Sequence, residues 1–138
     1  MIGLDTNILA RYYIKDQVDA EATKQHEAAR VLMEAGQPLM ACKTVLLEFE
    51  WVMRGYYRFE RDEILSVFRH ILSLQHLQIE DRTDVEQAVD NYASGLDLAD
   101  ALHHASYRHC GKMATFDDKR FARKAKKRGL IPAVVVPR

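Results

Sequence analysis

Five short apolar runs punctuate this chain: Met1–Leu4, Leu39–Cys42, Leu77–Ile79, Met113–Thr115 and Ala133–Val136. Each is too short for a helix and is followed or preceded by a longer stretch with helical spacing. The spacing predicts helices over Thr6–Lys15, Val18–Ala35, Thr44–Tyr57, Arg61–Leu74, Asp84–Ala93, Leu98–His109 and Asp118–Arg128. Breakers fall between the two kinds of segment: "AGQP" after the second helix, Gly95, Gly111 and "RGLIP" before the last run. Strands alternating with helices predict an α/β fold with a mainly parallel sheet, because parallel neighbours need a crossover between them. No repeat, low-complexity stretch or Pro/Gly-rich linker interrupts the pattern, so a single domain over 1–138 is expected.

A 48% apolar content suffices for a core at this length. No run approaches the roughly 20 apolar residues of a membrane span, and no basic stretch leads into a long apolar one as in a signal peptide. Two distant cysteines, Cys42 and Cys110, do not make a disulfide framework. They are expected as buried structural thiols in a reducing cytoplasm. The net charge of zero hides a split. Residues 1–100 hold 10 Lys/Arg against 18 Asp/Glu, and residues 101–138 hold 10 against 2. Such asymmetry suits either a basic surface for a polyanion or pairing between parts of the fold.

Ligands of open parallel sheets sit at the carboxyl ends of the strands, and acids recur at those places. "MIGLDTN" predicts a strand that buries Met1, Ile2 and Leu4 and delivers Asp5 to its end, where capping of the next helix is the competing role. In "TVLLEFEWVMR", Val45, Glu48, Val52 and Tyr56 share one helical face, so Glu48 is expected to turn inward. Glu50 is expected as a solvated partner of Arg54 four residues on. In "GLDLADALHHA", Asp97 suits the N-cap and Asp100 the first turn. In "MATFDDKRFA", one of Asp117 and Asp118 caps a basic helix and leaves the other free. Four acids on one sheet edge call for a hard cation with oxygen ligands, Mg²⁺ or Mn²⁺, which could activate a water against a phosphodiester.

The blocks "LDTNILARYYIKD", "LLEFEWVMR", "DLADALHHA" and "TFDD", in this order, resemble the PIN-domain family, and within it the VapC-type toxins of bacterial toxin–antitoxin pairs. The resemblance spans essentially the whole chain. It implies a three-layer α/β/α domain with a central parallel sheet and a Mg²⁺- or Mn²⁺-dependent ribonuclease. By the matching positions it implies Asp5, Glu48, Asp100 and Asp117 as the metal-holding, catalytic acids. Thr6, Asn7 and Thr115 would support them, with Asp97 in an auxiliary metal role. It also implies an RNA substrate, a homodimer and an antitoxin partner.

Other features have weaker claims. "KRFARKAKKRG" predicts a basic helix in which Lys119, Arg120, Arg123 and Lys124 could meet phosphates, with Phe121 and Ala125 as its apolar side. The competing role is a solvated face. Arg11 either binds substrate or buttresses Asp16. His103, His104, His109 and Cys110 lack the i, i+4 spacing of helical zinc ligands. Tyr12, Tyr13, Tyr56, Tyr57 and Phe59 suit a subunit interface or the core equally. Two other functions remain open: a catalytically silent module that binds RNA or protein through residues 119–128, and an aspartate-nucleophile phosphatase. The latter wants a second acid where Asn7 stands.

Overall fold

The structure, a computed structural model, describes residues 1–16 and 18–138. Seven α-helices and two π-helical turns alternate with five strands among these residues, and every strand pairing is parallel. This is an α/β fold of the predicted class. The chain divides into two compact units, Met1–Arg82 and Thr83–Arg138, each with its own assigned sheet.

In Met1–Arg82 the order is β1 (Ile2–Gly3), α1 (Thr6–Tyr13), α2 (Ala20–Glu34), β2 (Leu39–Ala41), α3 (Lys43–Trp51), a π-helical turn (Val52–Tyr56), α4 (Arg61–Ser73) and β3 (Leu77–Ile79). The strands pair in the order β1-β2-β3, with Ile2 beside Leu39 and Leu39 beside Leu77. Leu39, Ala41, Leu77 and Ile79 are buried with Leu9, Met33, Phe49, Met53, Ile64 and Ile71. The expected burial of β1 fails at its start. Met1 and Ile2 are exposed, and Leu4 alone of the three is buried, because β1 is the edge of this sheet and only two residues long.

Local chemistry sets the helix starts. The Asp5 carboxylate accepts the Thr6 N–H at 2.7 Å to open α1, and Asp19 accepts the Ala22 N–H at 2.7 Å to open α2. At α4, Glu63 accepts the Glu60 N–H at 2.9 Å, half of a capping box. The predicted single helix 44–57 instead becomes α3 followed by the π turn. Its end is closed by Arg58, at φ +57°, and by the Phe59 N–H donating to the Met53 carbonyl at 2.9 Å.

Thr83–Arg138 contains nearly all of α5 (Arg82–Ala93), then α6 (Leu98–Ser106), β4 (Lys112–Ala114), a second π-helical turn (Asp118–Ala122), α7 (Arg123–Lys127) and β5 (Ala133–Val135). Lys112 pairs with Ala133 and Ala114 with Val135. Tyr92, Leu96, Ala101, Phe121 and Ala125 are buried. His104, also buried, donates from Nε2 to the Pro132 carbonyl at 2.8 Å. Gly129, at φ +65°, ends α7: its N–H donates to Lys126 and that of Leu130 to Ala125, both at 3.0 Å. The predicted basic helix 118–128 is thus a π turn and one short α segment.

The cysteine expectation holds only in part. Both thiols are free, but Cys110 is exposed and Cys42 half-buried. Cys42 is the N-cap of α3, where a side chain stands outside the helix; its thiol lies 3.3 Å from the Thr44 hydroxyl, which holds its pKa below the usual thiol value.

Candidate functional site

In Met1–Arg82 the end of β1 and the middle of α3 bring Asp5 and Glu48 to the wall of one cavity of about 390 Å³. Thr6, Asn7, Arg11, Gln25 and Tyr57 also line it. Each side chain has a local reason for its place. Asp5 is fixed by the cap it makes to α1. Arg11, one turn beyond Asn7, donates from Nε to Gln25 Oε1 at 2.8 Å instead of buttressing Asp16, whose Oδ2 accepts the Tyr57 hydroxyl at 3.1 Å.

The two glutamates of α3 exchange the roles expected of them. Glu50 is 1% exposed, and Arg54 donates to it from Nε at 2.9 Å; Glu48 is exposed. The pairing with Arg54 was legible from the i, i+4 spacing, but the face was not. Leu46, Phe49, Glu50 and Met53 form the buried stripe at i, i+3, i+4, i+7, and this turns Glu48 out toward the cavity. Exposure there suits a carboxylate that meets water, a cation or a substrate.

In Thr83–Arg138 the acids lie at helix starts, as expected. Asp97 caps α6, accepting the Asp100 N–H at a long 3.4 Å. Desolvation, then the charges of Asp97 and Asp117, hold the Asp100 carboxyl above its usual pKa, opposed by His103. These three acids are therefore near enough to repel. Asp117 Oδ1 accepts the Arg120 N–H at 2.9 Å, and the Asp117 N–H donates to the Thr115 hydroxyl at 3.1 Å. Asp118 is committed to Arg123 at 3.0 Å. Asp117 therefore caps the turn, and Asp118 is not left free. Of the basic residues, Lys119 and Arg120 are exposed, Arg123 holds Asp118, and Lys124 donates to the Gly95 carbonyl at 3.3 Å. Phe121 and Ala125 form the buried side, as expected.

A hard divalent cation fits the chemistry of these donors. Thr6 lines the cavity beside the two carboxylates, is 6% exposed, and its buried hydroxyl lacks a hydrogen-bond partner. The raised pKa of Asp100 comes from its burial first and from the negative charge of Asp97 and Asp117 second. Among the described residues, however, no three His, Cys, Asp or Glu side chains are grouped closely enough to form a ready-made cage.

Sequence reasoning missed Gln25 and left Tyr57 between interface and core. Tyr57 carried the only signal, its place in the aromatic run "YYRF".

In open parallel α/β scaffolds ligands sit beyond the carboxyl ends of the strands, and oxygen donors stand there at Asp5 after β1 and at Thr115 and Asp117 after β4. Residues 2–127 match the family described as PIN domain, and the chain belongs to that family. PIN domains are generally nucleases that typically use divalent metal ions, which makes nucleic acid the substrate class. Comparisons with curated proteins and with solved structures returned no match. No helix among the described residues is long and apolar enough to cross a membrane.

Proposed function

We propose that this chain is a Mg²⁺- or Mn²⁺-dependent endoribonuclease that hydrolyses RNA phosphodiester bonds. It works as one nuclease domain over residues 1–138 and as the toxin of a VapC-type toxin–antitoxin pair. The observation that carries the reading is the cavity lined jointly by Asp5 and Glu48, with Thr6 beside them, in a chain of a nuclease family. In Met1–Arg82 the residues that would bind a divalent ion are Asp5 and Glu48. In Thr83–Arg138 the candidate metal-binding acids are Asp100 and Asp117, with Asp97 auxiliary. A bound Mg²⁺ or Mn²⁺ supplies Lewis acidity and an activated water.

The chain's own groups do the rest. The Thr6 N–H orients Asp5, Thr115 steadies the Asp117 backbone, and Arg11, Lys119 and Arg120 bring positive charge for phosphates. Arg123 and Lys124 contribute less, being engaged with Asp118 and Gly95. An antitoxin partner, a homodimer and a cytoplasmic setting complete the reading; two free thiols persist in such a setting.

A second reading is a catalytically silent module binding RNA or protein through residues 119–128. It draws on the lack, among the described residues, of a preassembled three-ligand group. One experiment separates the two: incubation of labelled structured RNA with the purified protein in Mg²⁺, Mn²⁺ or EDTA, beside Asp5→Asn. Metal-dependent cleavage that disappears in the variant is expected. Undiminished cleavage by Asp5→Asn overturns the site, and no cleavage together with no Mn²⁺ binding favours the silent module.

A further inference from the structure

The segment "RGYYRF" joins the carboxylate cavity to an exposed aromatic surface. Tyr57 lines the cavity with Asp5 and Glu48. Its ring meets that of Tyr56 edge to face, centroids 4.8 Å apart at 73°. Tyr56 is 77% exposed, an unusual placement for a large ring. The π-helical turn Val52–Tyr56 is what sets this arrangement up. Its extra residue rotates the chain beyond it by roughly 100° relative to a continuous α-helix. The turn closes on Arg58 at φ +57°, a position where glycine is ordinarily favoured and an L side chain is strained. An exposed arginine is thus kept beside two tyrosines at some conformational cost.

We propose that Tyr56, buttressed edge to face by Tyr57, is a stacking platform for an unpaired base of single-stranded RNA at the rim of the Asp5–Glu48 cavity, with Arg58 beside them supplying charge for the backbone. The inference rests on the nuclease reading above and names its substrate form. An aromatic face accepts any base, and a neighbouring cation adds attraction for phosphate. Stacked bases in a duplex do not present their faces, so the platform selects unpaired strands. A protein contact could also use exposed tyrosines. The sharing of Tyr57 with the carboxylate cavity favours RNA, since it joins the platform to the candidate cleavage site.

The test uses full-length Asp5→Asn protein, which should bind without cutting, and a short fluorescent single-stranded RNA followed by anisotropy at low salt. Adding Tyr56→Ala should weaken binding about tenfold, as expected for one lost stack, while Tyr56→Phe should bind as the parent does. With Asp5 intact, Tyr56→Ala should raise KM for single-stranded RNA and leave kcat nearly unchanged. Equal affinity of Tyr56→Ala and parent overturns the platform, as does failure of Tyr56→Phe to restore binding. Loss of self-association with unchanged RNA affinity assigns the surface to a protein contact and overturns it too. A parent that cuts RNA but binds no unpaired strand sinks the platform alone. One that neither binds nor cuts sinks the nuclease reading with it.

Discussion

The two compact units hold their acids in opposite ways. In Met1–Arg82, Asp5 and Glu48 come from different elements and face a shared cavity, while the other acid of α3, Glu50, is buried and paired with Arg54. In Thr83–Arg138, Asp97, Asp100 and Asp117 stand at helix starts, where backbone N–H groups partly compensate them; burial first, and then the charges of Asp97 and Asp117, hold the Asp100 carboxyl above its ordinary pKa. The first arrangement separates an acid that stabilises from acids that face solvent and ligand. The second leaves Asp100 half-buried with like charges on either side of it, at a cost to the fold. A half-buried carboxyl held above its ordinary pKa is characteristic of functional sites.

That contrast can be broken most sharply at α3. Glu48→Gln should lower RNA cleavage by about 100-fold or more, as loss of an electrostatic group at a reacting centre does, and should leave the urea midpoint nearly unmoved because Glu48 is exposed. Glu50→Ala should do the reverse. It removes an acid that Arg54 donates to and empties a buried position, with a loss of about 2 kcal/mol in urea unfolding; the half-exposed Arg54 keeps this below the cost of breaking a fully buried pair. If both variants lose stability equally and neither loses activity, the assignment of Glu48 falls.

A smaller effect sharpens the second unit. With its pKa raised in the fold, Asp100 holds its proton more tightly than in the unfolded chain. Its contribution to stability is full below the ordinary aspartate range and is lost as pH rises through the raised value. At neutral pH Asp100→Asn should therefore raise the Tm of the metal-free protein slightly, and the gain should vanish in acid. Mn²⁺ should raise the Tm of the parent more than that of the variant. A variant less stable than the parent at neutral pH contradicts the repulsion.

The smallest effect concerns the doubled acid. Asp118→Ala removes an ion pair that is largely exposed and should cost at most about 0.5 kcal/mol with cleavage intact. Asp117→Asn should abolish cleavage. Cleavage assays reversing that order would move the fourth acid to Asp118.

Much of this was legible in the chain. Asp5 and Asp97 announced the helices they cap, because a cap is a contact between residues one to three apart. β3 falls on the run Leu77–Ile79 as read, and the other strands lie within a residue or so of theirs. The pairing of Glu50 with Arg54 followed from spacing alone. Where the reading failed, the deciding partner was distant in sequence or the backbone left the α period. Either face of "TVLLEFEWVMR" could have been the inner one, since apolar residues flank both glutamates. The π turns at Val52–Tyr56 and Asp118–Ala122 carry no sequence marker that periodicity detects.

The sequence by itself thus determined the α/β alternation, the helix caps and the order of the acids along the chain, all of which depend on near neighbours and on hydrophobic period. Only the tertiary structure decided which side of α3 faces the core, that Met1 and Ile2 stay exposed on an edge strand, and that Tyr57 shares a cavity with Asp5 and Glu48. Those outcomes depend on which surfaces other elements cover, and burial is a property of the packed assembly rather than of any one segment.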